Sequence, residues 1–202
     1  MRSFPKIEVT PGAYITLALA ILILPLRWLL TALAAGAVHE LGHLLACQLC
    51  GGDIRSITIA PFGAKILAAP MEQWRTILCS LAGPVFGLSL LVLGKWFPRL
   101  AICAGIQSVY NLLPLYPLDG GQALRRVSEM LLPKRTARRF CALAELGCIG
   151  AILLAGLYGS FILRLGILPL LLAGLPVFQK KTLQRNAESI TIDLPKNSEV
   201  RL

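Results

Sequence analysis

Apolar residues dominate six long stretches of the chain, and short polar segments separate them. The stretches cover residues 12–27, 29–50, 74–94, 100–118, 140–159 and 161–178. Each is close to the roughly 17–25 residues that a helix needs to cross a bilayer, and the first is marginal. The pattern predicts an all-α polytopic membrane protein with six transmembrane helices, and 56% hydrophobic residues among 202 exclude an ordinary soluble domain.

The segment between the second and third stretches, residues 51–70, has a different pattern. Ile54, Ile57 and their neighbours favour β-structure, and Pro-Phe-Gly at 61–63 is typical of a turn. We therefore expect a short, membrane-associated β-hairpin between helices 2 and 3. An unpaired strand edge there could align an extended peptide through main-chain hydrogen bonds. The alternative is an ordinary amphipathic loop.

The charge distribution predicts the orientation of the chain. The formal net charge is +10, and with a cytoplasmic N-terminus all but four of the 20 lysines and arginines fall on the cytoplasmic side. The four exceptions are Arg27, Lys95, Arg99 and Arg164. This bias predicts that both termini are cytoplasmic, and it argues against a nucleic-acid partner. The basic cluster within residues 125–139 suits the anionic headgroups of the lipid bilayer, with an acidic protein partner as the alternative.

Three ionisable residues interrupt the second apolar stretch: His39, Glu40 and His43, which include both histidines of the chain. Ionisable residues are costly inside a membrane and therefore indicate function. Residues four apart lie on one face of a helix, so both imidazoles could bind one zinc ion while Glu40 acts on a water molecule. The alternative is a pair of buried histidines satisfied by hydrogen bonds.

A catalytic zinc ion needs a third protein ligand. Cys47 is excluded, because three ligands spread over two turns of one helix cannot all reach one tetrahedral ion. Asp119 is the best acidic candidate, since it follows two prolines and precedes Gly120-Gly121 in the segment Asn111–Gly121. If the chain crosses the membrane six times, Asp119 lies at a similar depth to the two histidines, towards the cytoplasmic leaflet. The alternative is a loop leaving the membrane, with Asp119 capping the next helix.

These motifs resemble the site-2 protease family of intramembrane zinc metalloproteases. The resemblance rests on His-Glu-Leu-Gly-His at 39–43, Ala-Gly-Pro at 82–84 and the segment 111–121, in this order. The form of the last segment, and Pro-Phe-Gly at 61–63, are most similar to the stage IV sporulation protein FB branch. Many members carry Asn where this chain has Gly87, which is a departure.

The resemblance implies a six-helix protease with one Zn²⁺ per chain, and it implies a role for each matching residue. The implied metal ligands are His39, His43 and Asp119, and the implied catalytic base is Glu40. The implied substrate-binding residues are Asn111, Pro117, Phe62 and Gly63. Asn111 would hold substrate or stabilise an oxyanion, and Pro117 would shape the substrate channel.

The expected function is zinc-dependent cleavage of a membrane-embedded or membrane-adjacent protein segment near the cytoplasmic leaflet of a bacterial cell membrane. The candidate substrate is a pro-sigma factor or another substrate of regulated intramembrane proteolysis. An inhibitory membrane protein is a candidate binding partner. Residues 1–178 would form the protease domain and 179–202 a short cytoplasmic tail, without a CBS or PDZ domain. The alternatives are a non-catalytic zinc-dependent membrane adaptor and a metal transporter.

Overall fold

The computed structural model describes residues 6–60, 63–69 and 71–161 of the chain. The described part is mostly helical, with one small sheet. Its elements in chain order are β1 (Lys6–Val9), α1 (Pro11–Ile23), α2 (Leu26–Leu49), β2 (Ile54–Ala60), β3 (Gly63–Ala68), α3 (Gln73–Ser89), a 3₁₀ helix (Leu90–Lys95), α4 (Pro98–Asn111), α5 (Asp119–Leu131) and α6 (Lys134–Phe161).

Three segments of the described chain are helical, long and apolar enough to cross a membrane: Leu26–Leu49, Gln73–Lys95 and Lys134–Tyr158. The predicted spans at 29–50, 74–94 and 140–159 fall on them. Helix α1 is apolar but has only 13 residues, and α4 has 14. At 1.5 Å per residue, α4 is about 21 Å long, which is less than the hydrocarbon core of about 30 Å.

The predicted spans at 12–27 and 100–118 therefore differ from the helices found, since α1 and α4 are shorter. The span expected at 100–118 is helical only as far as Asn111, because Pro114 and Pro117 follow and the chain turns before α5. The span expected at 161–178, apart from its first residue, and the tail at 179–202 lie outside the described residues.

A hairpin connects α2 and α3, as the β-forming pattern predicted. Strands β2 and β3 pair antiparallel, with Ile57 opposite Ile66 and Ile59 opposite Ala64. The sheet also has a third strand that the sequence pattern did not indicate. Strand β1 pairs parallel to β2, which gives the order β1-β2-β3. Strand β3 is thus an edge of the described sheet.

Helix α3 is the centre of the helix packing, because glycines on it and on α2 let the backbones approach closely. A β-carbon on Gly42 of α2 would lie 2.8 Å from both the Ala82 carbonyl oxygen and the β-carbon of Phe86 on α3. One on Gly87 would overlap the Ser108 hydroxyl of α4. Small residues at such crossings are typical of helix packing in membranes. The approach of α2 to α3 holds His43 against α3.

The segment between α4 and α5 turns the chain back towards α2. A β-carbon on Gly120 would overlap the Leu112 carbonyl, and one on Gly121 would overlap the backbone of Leu115. Only glycine allows so close a return of the backbone. Helix α5 begins at Asp119 and packs against α3 and α6, so the first residue of α5 points back to the histidine-bearing helix.

Candidate metal centre

His39 and His43 lie on one face of α2, one turn apart. Their Nε2 atoms are 3.2 Å from each other, and their rings meet edge to face with centroids 4.9 Å apart. His39 is almost completely buried, whereas His43 is partly accessible. The helical spacing of four residues thus brings two imidazole nitrogens to one point, as predicted.

Asp119 brings a carboxylate oxygen to the same point from the start of α5. Its Oδ2 atom is 3.1 Å from His39 Nε2 and 3.3 Å from His43 Nε2. The N-cap position of α5 is occupied by Leu118. The alternative in which Asp119 caps this helix is therefore not observed. The three residues form a group that could hold a metal ion, and within the described chain it is the one such group with three or more His, Cys, Asp or Glu ligands.

The spacing of these three atoms fits a zinc ion. Ligands at the corners of a tetrahedron with bonds of about 2.0–2.1 Å are about 3.3 Å apart. The three distances among His39 Nε2, His43 Nε2 and Asp119 Oδ2 are 3.1, 3.2 and 3.3 Å. Two imidazoles and one carboxylate also leave a fourth corner open, which is the arrangement of catalytic zinc sites. The donor set and its geometry therefore fit the expected Zn²⁺.

A backbone carbonyl orients one of the imidazoles. His43 Nδ1 lies 2.7 Å from the carbonyl oxygen of Cys79 on α3. Because a carbonyl can only accept, Nδ1 carries the proton and Nε2 presents its lone pair to the metal position. Ligating histidines usually have such an outer partner. Among the described residues, His39 Nδ1 has no hydrogen-bond partner.

The carboxyl group of Asp119 is largely buried, and its electrostatic surroundings favour the charged form. Burial raises the pKa of Asp119, but the nearby imidazoles of His39 and His43 outweigh burial and hold its pKa below the ordinary value. An ionised carboxylate is the form that binds a cation.

Glu40 lies beside this centre and is held by the hairpin. Its Oε1 atom accepts a hydrogen bond of 3.1 Å from the backbone N–H of Ala64 in β3. Its Oε2 atom is buried and has no hydrogen-bond partner among the described residues. Gly63, with φ of 138°, lies so close that a β-carbon there would be 3.5 Å from Glu40 Oε1. The carboxylate thus has one oxygen fixed and the other free for a proton.

The four residues implied as substrate-binding have different positions. Asn111, the last residue of α4, lies at the metal centre, with its Nδ2 atom 3.3 Å from His39 Nε2. Gly63 lies next to Glu40, as described above. Pro117 lies in the segment before Asp119, where its carbonyl accepts a hydrogen bond from the Gln122 side chain. Phe62 lies outside the described residues.

Two groups at this site were not indicated by the sequence analysis in these roles. The first is the carbonyl oxygen of Cys79, which orients His43. The second is the N–H of Ala64, which holds Glu40. Both are backbone groups, which every residue except proline carries in full, so no residue-type pattern could point to them.

Known proteins are similar to this chain in sequence and in fold. A putative zinc metalloprotease of Synechocystis is 31% identical over 118 residues, which cover 49% of this chain and 31% of that protein. A zinc metalloprotease of Methanocaldococcus jannaschii is 26% identical over 45% of this chain and 31% of its own length. Stage IV sporulation protein FB of Bacillus subtilis is 28% identical over 71% of this chain and 57% of its own. The matched part of the chain thus spans from 31% to 57% of the length of these relatives.

The solved structure of the site-2 protease from Methanocaldococcus jannaschii aligns over 88% of this chain and 92% of its own, with a TM-score of 0.59 and 22% identity. No family model matches the chain. The chain resembles the site-2 proteases in sequence and in fold. This confirms the resemblance that the motifs predicted, and it supports a membrane protein with a metal centre. At 22% identity the solved structure shows the fold alone, so the chemistry of this chain is argued from its own residues.

Proposed function

We propose that the chain is a zinc-dependent intramembrane endopeptidase. The observation that carries the proposal is the near-equilateral triangle of His39 Nε2, His43 Nε2 and Asp119 Oδ2, with the Glu40 carboxylate beside it. Two of the relatives are named zinc metalloproteases, and the fold is that of a site-2 protease. A binding protein would need the three ligands but would have no use for a half-satisfied carboxylate next to them.

His39, His43 and Asp119 would hold one Zn²⁺. When bound, the ion supplies Lewis acidity, which polarises a peptide carbonyl and makes a water molecule more acidic. The Cys79 carbonyl keeps His43 in the tautomer that offers Nε2. Gly83 leaves the space that this ring orientation needs, because a β-carbon added at this position would overlap the His43 ring.

Glu40 is the general base in this proposal. Its Oε2 atom accepts the proton of the attacking water and later donates it to the amine nitrogen that leaves when the C–N bond breaks. The hydrogen bond from Ala64 N–H to Oε1 fixes the carboxylate without occupying the oxygen that carries the proton. Because Ala64 belongs to the hairpin, the position of the hairpin determines the position of the base.

Asn111 is placed to bind the substrate at the scissile bond. Its side-chain amide lies at the metal centre and can donate a hydrogen bond to the carbonyl oxygen as negative charge develops there. Phe62, Gly63 and Pro117 complete the proposed substrate-binding set. Gly63 is adjacent to Glu40, and Pro117 belongs to the segment that carries Asp119.

The substrate is a protein segment in or next to the membrane, in an extended conformation. A helix hides its peptide bonds, so the segment must unwind locally before water can attack. Strand β3 is an edge of the described sheet and runs beside Glu40, which suits pairing with an extended peptide. A pro-sigma factor is the substrate class we propose, since one relative is a sporulation protein; an inhibitory membrane partner would fit the same context.

The proposed setting is a bacterial cell membrane. Six transmembrane helices, with both termini cytoplasmic, would place the metal centre towards the cytoplasmic leaflet. Residues 1–178 would form the protease domain and 179–202 a cytoplasmic tail. The charge distribution supports this orientation, because the basic residues of the segment 125–139 follow Asp119 closely.

The test uses the full chain with Glu40→Gln, which keeps the shape of the side chain but cannot take a proton. We expect this variant to retain zinc, to trap substrate in native membranes, and to leave the trapped protein uncut. Glu72→Gln, which removes an exposed carboxylate at the start of α3, is the matched control and should cut like the parent. Normal cleavage of the trapped protein by the Glu40→Gln variant would show that the proposed mechanism is wrong.

A further inference from the structure

Helix α5 has exposed apolar side chains although it is not one of the described helices apolar enough to cross a membrane. Its buried residues are small, namely Gly121, Ala123 and Ser128. At its end, Met130 is 51% exposed and Leu131 is 76% exposed. A short helix with buried small residues, exposed apolar residues and a charged face is typical of the boundary between headgroups and acyl chains.

Basic residues surround these apolar side chains at the junction of α5 and α6. This group, the basic corner, consists of Arg125, Arg126, Lys134, Arg135, Arg138 and Arg139, all of which are exposed. Glu129 is the single acidic residue between positions 125 and 139, and it pairs with Arg125 at 3.1 Å. The corner thus carries a large excess of positive charge.

The basic corner lies where a crossing helix enters the membrane. The segment Lys134–Tyr158 is long and apolar enough to cross, and four residues of the corner lie in its first two turns. Exposed apolar residues follow on the same helix, with Leu143 68% and Leu146 66% exposed. The charged turns therefore meet the headgroup layer when the apolar turns meet the acyl chains.

We propose that the basic corner is a binding surface for anionic phospholipid headgroups, with Met130 and Leu131 inserted at the acyl boundary. Charge complementarity selects the occupant, because zwitterionic headgroups offer no net charge to the corner. Each basic residue near an anionic surface raises the affinity about fivefold. The occupant is a lipid and not a free phosphate, because the apolar side chains between the cations need an acyl surface.

One residue of the corner, Arg125, contacts the segment that precedes Asp119. The Arg125 guanidinium lies 6.0 Å from the centroid of the Tyr116 ring, in the segment before Asp119. The Tyr116 backbone N–H donates a long hydrogen bond, 3.4 Å, to Glu145 Oε1 of α6. Helix α5 itself begins at Asp119. A lipid bound at the corner thus lies on the same helix, α5, whose first residue is the proposed third metal ligand.

The experiment measures which lipids the purified full chain retains. The chain is taken from membranes of phosphatidylcholine and phosphatidylglycerol in equal amounts, and native mass spectrometry counts the bound lipids. The test variant carries Arg135→Gln, Arg138→Gln and Arg139→Gln. The control variant carries Lys95→Gln and Arg99→Gln, two basic residues outside the corner. A second test variant, Arg126→Gln with Lys134→Gln, replaces the first if that one does not fold.

We expect the parent and the control to bind phosphatidylglycerol in preference to phosphatidylcholine. In the test variant the ratio of the two bound lipids should fall at least tenfold, in line with about fivefold per residue. An unchanged preference in a folded test variant would overturn the proposal. Displacement of the lipid by millimolar inorganic phosphate, or tighter binding of a polyglutamate peptide than of the lipid, would also overturn it in favour of a soluble anion or an acidic protein. The measurement involves no cleavage, so its outcome is independent of the proposed protease activity.

Discussion

Gly83 of α3 lies directly against the imidazole ring of His43: a β-carbon at this position would overlap Nε2, Cε1 and Cδ2 of the ring. The ring is also held at Nδ1, which donates a hydrogen bond of 2.7 Å to the Cys79 carbonyl one turn earlier on α3. One turn of α3 therefore both orients the histidine and makes room for it.

The first prediction follows from this contact. Gly83→Ala should weaken zinc binding about 10- to 100-fold, as the loss of outer-shell support does in other metal sites, because His43 must turn away from the metal position. Zinc affinity of the purified variant, measured by competition with a chelator, checks this. Gly147→Ala on α6 is the matched control, since a β-carbon there meets no atom of the described chain within 4 Å. Equal zinc affinity of the Gly83 and Gly147 variants would contradict the prediction.

The second prediction concerns Asp119. Asp119→Asn should weaken zinc retention by more than the roughly 10- to 100-fold expected for outer-shell changes, because a neutral amide replaces the anionic ligand. Metal content after dialysis against a chelator gives the answer. The control is Asp53→Asn, which makes the same change at a position away from the centre. If the Asp119 variant retained as much zinc as the Asp53 variant, Asp119 would not be a ligand.

The two histidines of this site, which lie on one helix, were predictable from sequence. The residues that come from other segments were only partly predictable. His39 and His43 could be paired because helical periodicity relates residues four apart without knowledge of the fold. Asp119 lies 80 positions from His39, and only its Pro- and Gly-rich surroundings marked it. The roles of Cys79 and Ala64 depend on backbone atoms brought together by helix and hairpin packing, which no local pattern contains.

The same distinction explains the differences in the fold. The hairpin was predictable from β-forming residues on both sides of a turn, but β1 was not. The residues of β1, Lys6–Val9, alternate between polar and apolar, but four exposed residues are too short a pattern to predict a strand. The strand is defined by its pairing with β2, about 50 positions away. Similarly, hydrophobicity continues past Asn111, whereas the α4 helix ends there because Pro114 and Pro117 follow.

The third prediction separates catalysis from metal binding at Asn111. Asn111→Ala should lower the rate constant for cleavage about 10²- to 10³-fold, as the loss of one donor to a developing oxyanion does, while zinc content stays that of the parent. Single-turnover cleavage of the protein trapped by the Glu40→Gln variant measures the rate. Gln107→Ala, one turn earlier on α4 and near Gly36, is the control and should keep the parental rate. A loss of zinc in the Asn111 variant would assign Asn111 to the metal site instead.

The fourth prediction tests whether the hairpin positions Glu40, the proposed base. Ala64→Pro removes the N–H that donates to Glu40 Oε1, so the carboxylate should lose its orientation. We expect slower cleavage of the trapped protein with unchanged zinc content, because none of the three proposed metal ligands lies on the hairpin. Ala68→Pro, at the far end of the same strand, disturbs β3 without touching Glu40 and measures the effect of strand damage alone. If both proline variants slowed cleavage equally, the Ala64–Glu40 contact would have no special role; a larger loss for Ala64→Pro would place the hairpin in control of the catalytic carboxylate.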